Sequence, residues 1–261
     1  TPKPQDGNPK PRCFRVPQDR AIINRFGINN KGVKNAVEHL KKDRPNVIVA
    51  ANISKNTTSI NEDAAKDYET SFALLYDFVD MFVVNVSCPN VKEGAIAFGQ
   101  KADALYNITS EIKKHAKQPI IMKLSPNVTD ITEMAKAAEA AGADAISLIN
   151  TLTGMKIDIH RRTFALANKT GGMSGPAIKP VAVRMVYQAS HAVKIPVIGM
   201  GGIATAEDAI EFLLAGATGV AVGAMNFVNP YATVEIVKGI EMYMQQYGVE
   251  NITDLIGAVH D

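Results

Sequence analysis

The hexapeptide Asn85-Val86-Ser87-Cys88-Pro89-Asn90 holds the residue types needed to read a planar polar ligand and to move one proton. Its two carboxamides offer paired donors and acceptors. Its thiol, with a reference pKa near ~8.5, can act as a general base at mildly alkaline pH. The segment follows the apolar run 81–84, which reads as a buried strand, so these groups stand at a strand exit. Cysteine alone is more often an inert core residue; flanking amides favour the catalytic reading. Residues 89–100 contain Gly94 and Gly99, which fits a lid that expels water.

Three further groups could work with it. Lys123 interrupts the apolar run 120–124, where a buried ammonium is costly unless paired. It reads either as a cation stabilising charge on an electron-accepting ring or as a strand-end lysine reaching solvent. Asn24, Asn85, Asn90 and Asn150 match an imide or amide edge as a set, and ordinary turn residues singly. The glycine-rich stretches 171–175, 199–202 and 223–227 could cradle a phosphate, because glycine lets the backbone approach an anion. The competing reading is three tight turns.

Other chemistries find little support. The five histidines lack metal-ligand spacing, and there is no G-x-S-x-G or Walker motif. Net charge is +2, from 28 basic and 26 acidic residues spread along the chain, which argues against nucleic acid. No apolar run reaches the roughly 18 residues that span a bilayer, and no leader pattern is visible. Two cysteines make no disulfide framework, so a reducing cytoplasm is expected.

Six apolar runs are expected as strands, at 47–51, 81–86, 120–124, 145–149, 196–198 and 219–222. Helical patterns lie at 61–78, 101–116, 130–141, 179–193, 205–215 and 230–246. Asp130 with Glu133, and Thr205 with Asp208, have capping-box spacing; Gly142 and Gly216 stand where left-handed C-caps are needed. Alternating strands and helices mean a parallel sheet. Polar residues and glycines follow the strands, as in a (β/α)8 TIM barrel whose site lies at the C-terminal strand ends. A doubly wound sheet is less favoured, because no G-x-G-x-x-G follows the first strand. Six strands are two short of eight. The first forty-odd residues read as loop plus one short helix at 32–42, so the missing pair is expected before Thr1. The expected organisation is one α/β barrel domain over 1–261, incomplete at its N-terminus.

These residues resemble the dihydroorotate dehydrogenases across nearly the whole chain. The resemblance rests on the N-V-S-C-P-N segment, the stretch 122–130, Asn150-Thr151, and the loops 171–175 and 199–203. It implies a TIM barrel that binds FMN and oxidises dihydroorotate to orotate in pyrimidine biosynthesis. It assigns Cys88 as the base that takes the C5 proton, with the C6 hydride passing to flavin N5. Asn24, Gly27, Ile28, Asn85, Asn90, Asn150 and Thr151 are expected around the substrate ring. Asn52, Asn85, Lys123, Ser174, Gly175, Gly201, Gly202, Gly223 and Ala224 are expected to hold FMN, with Ala224 where a threonine commonly helps hold the phosphate.

From about Lys92 onward the chain resembles the soluble NAD-linked class, which pairs with a subunit carrying FAD and an iron–sulfur cluster. The earlier segments 1–12 and 23–27 look more like the quinone-using class. NAD through a partner, quinone and fumarate all stay open as acceptors. A homodimer or heterotetramer is expected, and a chain lacking two strands is expected to bind FMN weakly on its own. The alternatives are another pyrimidine-reducing flavoprotein, such as a dihydropyrimidine dehydrogenase-like barrel, and an inactive fragment or binding module.

Overall fold

The computed structural model describes residues 1–60, 63–86 and 100–260. The chain opens with an antiparallel hairpin of β1 (Cys13–Val16) and β2 (Ala21–Asn24), followed by helix α1 (Val33–Lys42). Strands and helices then alternate: β3 (Ala50–Ile53), α2 (Ala64–Leu75), β4 (Met81–Asn85), α3 (Ala102–His115), β5 (Ile120–Lys123), α4 (Ile131–Ala140) and β6 (Ala145–Leu148). An insert holds β7 (Leu152–Met155), β8 (Ile157–Asp158), β9 (Thr163–Phe164) and β10 (Thr170–Ser174). Alternation resumes with α5 (Lys179–Ala192), β11 (Val197–Met200), α6 (Ala206–Leu214), β12 (Gly219–Ala221) and α7 (Ala232–Tyr247).

The main sheet is parallel, in the order β12-β11-β6-β5-β4-β3. Strand side chains alternate between faces. One face carries Phe82, Val84, Ile120, Met122, Ile146 and Leu148, all fully buried in one core with Tyr68, Phe72, Leu105 and Met134 of the helices. Each such side chain contributes about 1.5–3 kcal/mol by leaving water. Phe72 and Phe82 add an edge-on aromatic contact with centroids 4.6 Å apart. The opposite face carries Asn52, Val83, Asn85, Lys123 and Met200, which are exposed or half-buried. Among the described residues β3 pairs only with β4 and β12 only with β11. The sheet is therefore an incomplete (β/α)8 barrel, with helices outside and a partly open polar interior.

The first expected strand lies later than its sequence suggests. Val47 and Ile48 are 65% and 75% exposed, and β3 begins at Ala50. The Asp80 carboxylate binds Val49 N–H at 2.7 Å and the Arg44 guanidinium at 2.8 Å, which holds the approach to the sheet outside the core. A larger correction concerns the N-terminal forty residues, which contain a hairpin as well as the expected helix. Their β2 joins β10, giving a four-stranded antiparallel sheet β1-β2-β10-β7 that the sequence reading did not contain. Its small core is Val16, Ala21, Ile23 and Leu166. Two four-residue strands separated by Pro17–Asp19 leave too short an apolar pattern to signal a sheet.

Helix ends follow their local chemistry. Thr205 Oγ1 accepts from Asp208 N–H while Asp208 accepts from Thr205 N–H, a complete capping box. Asp130 caps α4 by accepting from Thr132 N–H at 2.8 Å. Gly142 and Gly216 take φ of +91° and +103°, which side chains disfavour. No described helix is long and apolar enough to cross a membrane.

Candidate active site

A cavity of about 410 Å3 opens where β5, β11 and β12 end, the position a barrel reserves for chemistry. Asn52, Lys123, Asn150, Thr151, Ser174, Gly175, Gly201, Gly202, Gly223 and Ala224 all line it. Ten residues named from sequence thus converge on one space, although they span positions 52 to 224. Val83, Ile149, Met200 and Ile203 supply apolar wall.

The glycine loops are built for close approach. Gly175, Gly201 and Gly202 have φ of +101°, +132° and +84°. A Cβ on Gly202 would fall 2.8 Å from the Gly175 carbonyl oxygen, and one on Gly201 would fall 2.8 Å from Ala182 Cβ. The two loops therefore pack backbone to backbone, a contact only glycine permits. A Cβ on Gly223 would meet nothing within 4 Å, so that residue faces open space at the cavity wall.

Lys123 ends β5 on the inner face, in register with Asn85 of β4 and Ser147 of β6. Burial pushes its ammonium below the usual lysine range, and no opposing charge among the described residues offsets this. A half-buried cation in a cavity, with no opposing charge among the described residues, favours a ligand that carries or develops negative charge. The adjacent Ser147 hydroxyl is buried without a hydrogen-bond partner among the described residues.

The amides form a network. Asn150 Nδ2 donates to Asn85 Oδ1 at 3.1 Å. The Asn85 carbonyl accepts from the buried Tyr68 hydroxyl at 3.2 Å and from Ser54 at 3.4 Å. Asn85 lines not the first cavity but a second one of about 530 Å3 beside α1, which Asn52 and Ile28 line as well. Asn24 is not among the residues lining the first cavity; the β2–β10 register sets it opposite Gly172, and its Nδ2 donates to the Gly172 carbonyl at 3.1 Å. Thr151 Oγ1 crowds the same glycine, lying 2.3 Å from the position of a Cβ there.

Gly27 and Ile28 are not brought to the first cavity. Their carbonyls accept from Gln5 Nε2 at 3.1 and 2.9 Å, and both residues have positive φ. Cys88, Asn90, Gly94 and Gly99 lie outside the described residues. One positioning residue was missed: Asn127 Nδ2 donates to the Thr151 carbonyl at 3.0 Å, and its Oδ1 accepts from Thr153 N–H at 2.9 Å. It pins the loop that carries Asn150 and Thr151. Its presence in the strand-exit stretch 122–130 was the available signal.

The site fits a phosphorylated planar cofactor: a glycine cradle at one side, an unpaired ammonium in the interior, and apolar wall between. Comparisons with known proteins identify the family. The family model described as dihydroorotate dehydrogenase matches residues 1–244. The chain is 57% identical over 261 residues to the "dihydroorotate dehydrogenase B (NAD(+)), catalytic subunit" of Lachnoclostridium phytofermentans, covering 98% of this chain and 83% of that one. It is 52% identical to the protein of the same description from Alkaliphilus oremlandii, over 98% and 82% of the two chains. The ligand-free DHODH structure from Eimeria tenella superposes with a TM-score of 0.86 at 28% identity, covering 100% of this chain and 80% of that one. The ferulenol complex of the Eimeria tenella enzyme gives 0.84 at 28% identity, over 98% and 76%. The NAD-linked likeness runs through the N-terminal segments as well, and these relatives lend no support to a quinone-class origin for them.

Proposed function

The chain belongs to the dihydroorotate dehydrogenase family, and from that premise we propose that its cavity binds FMN and its inner-face amides bind dihydroorotate. The protein oxidises dihydroorotate to orotate in pyrimidine biosynthesis. The relatives do not favour another pyrimidine-reducing barrel or an inactive fragment.

The observation that carries the cofactor reading is the convergence of Gly175, Gly201, Gly202, Gly223 and Lys123 on one cavity. The glycine loops would receive the phosphate, where backbone N–H groups can approach an anion. Lys123 would stabilise negative charge at the ring, with Asn52 and Ser174 on the surrounding wall. When bound, FMN supplies the hydride acceptor for C6 of the substrate.

The chain's own residues do the rest. Asn85 and Asn150, locked by their mutual hydrogen bond, present amide edges that orient the substrate ring. Asn24 and Thr151, held at Gly172, extend that polar surface, and Asn90 would add a third amide toward the substrate. Ile28 would act through its backbone beside the second cavity, and Gly27 by shaping the turn that precedes it. Cys88 takes the C5 proton as thiolate.

The names of the relatives imply a partner subunit. We assign to this chain a partner carrying FAD and an iron–sulfur cluster that passes electrons to NAD+, in a heterotetramer in the cytoplasm. Turnover with a dye acceptor tests the substrate assignment. Orotate should form from dihydroorotate, with no comparable rate from dihydrouracil; a faster rate with dihydrouracil would overturn it.

A further inference from the structure

Lys179 is the first residue of α5, immediately after the Pro176–Ile178 turn that follows Gly175. A cation there opposes the helix dipole, so its placement calls for another reason. Its ammonium is turned toward α6, 2.7 Å from Asp208 Oδ1 and 2.5 Å from Glu211 Oε2. The other oxygen of Asp208 accepts from Ala204 N–H at 2.9 Å and Thr205 N–H at 3.0 Å, in the loop that begins with Gly201-Gly202. The root of the lysine packs on the same loop: a Cβ on Gly202 would lie 2.9 Å from Lys179 Cβ. One carboxylate therefore ties three things together: the start of α5, the end of the glycine loop and the cap of α6. Side-chain exposures of 26% and 16% distinguish this pair from a solvated surface bridge.

We propose that Lys179 and Asp208 are positioning residues that hold the Gly201-Gly202 loop against Gly175 in the geometry that receives the cofactor phosphate. Neither lines the cavity, so neither touches the cofactor. Their effect reaches the cofactor through the loop, as outer partners act through the groups they orient. This inference rests on the phosphate-loop assignment above.

The test compares FMN with riboflavin, which lacks the phosphate. Dissociation constants for both are measured by fluorescence on the flavin-stripped full chain, as wild type, Asp208→Asn, Lys179→Met and Lys179→Arg. Asp208→Asn and Lys179→Met should weaken FMN about tenfold, leave riboflavin unchanged, and so shrink the preference for FMN. Lys179→Arg, which retains the charge, should restore most of it. Unchanged FMN affinity would overturn the proposal, as would an equal loss for both flavins, which marks general loosening. If the Met variant fails to fold, the Asn and Arg variants still decide. A wild type that shows no preference for FMN over riboflavin would overturn the phosphate-loop assignment and this inference with it. Wild-type preference with unaffected variants would overturn this inference alone.

Discussion

Asn85 and Lys123 are register partners across β4 and β5, which sets an amide and an ammonium side by side on the inner face of the barrel. The amide is held by Asn150, while the ammonium is left to the cavity. Fixed polar groups aimed at developing charge act strongly because they need no reorganisation.

Lys123→Met should therefore separate stability from activity. Turnover should fall about 100-fold, the scale of losing one preorganised donor. The flavin-free protein should become more stable by about 1 kcal/mol, because a desolvated unpaired charge is gone. Steady-state kinetics and thermal melting of flavin-free protein check the two halves.

The same lysine gives a pH dependence of definite sign. Burial lowers its folded pKa below 10.5, so the unfolded chain binds more protons between the folded value and 10.5. Stability must rise with pH across that window and not below it. The urea midpoint of Lys123→Met relative to wild type should show its largest advantage at neutral pH, narrowing as pH approaches 10.5.

Two glycines should behave oppositely. Gly202→Ala places a Cβ 2.8 Å from the Gly175 carbonyl at φ +84°, and should destabilise the fold by about 1–3 kcal/mol. Gly223→Ala meets no protein atom, so the melting temperature should hold while flavin affinity falls, because the methyl enters the cavity. Melting and flavin titration of both variants distinguish strain from occlusion.

Cys88→Ala should retain flavin and lose turnover by at least about 100-fold, the contribution of a positioned base. Wild-type turnover should climb with pH as the thiol ionises. Activity near wild type in the variant would remove Cys88 from the mechanism.

Much of this site was legible in the sequence because its residues sit at strand exits. Buried strands announce themselves by apolar runs, so Asn85, Lys123, Asn150 and Gly201 could be placed at their ends without coordinates. Less legible was whatever depends on pairing between distant segments. The contact of Asn24 with Gly172 spans 148 residues and arises from a sheet of short strands with no strong apolar pattern. Likeness names Gly27 and Ile28 as substrate residues, but that Gln5 binds their carbonyls is an interaction no motif encodes. The capping box at Thr205 and Asp208 was readable as a helix start. That the same carboxylate also binds Lys179 was not, because an ion pair between helices leaves no periodic trace.

The most direct test of the central claim is the visible spectrum of the purified protein before and after anaerobic addition of dihydroorotate. The account predicts that, supplied with excess FMN, the protein shows a flavin absorption band that bleaches when dihydroorotate is added, with FMN released on denaturation. A protein without a flavin band, or one whose band dihydroorotate leaves unchanged, would contradict it.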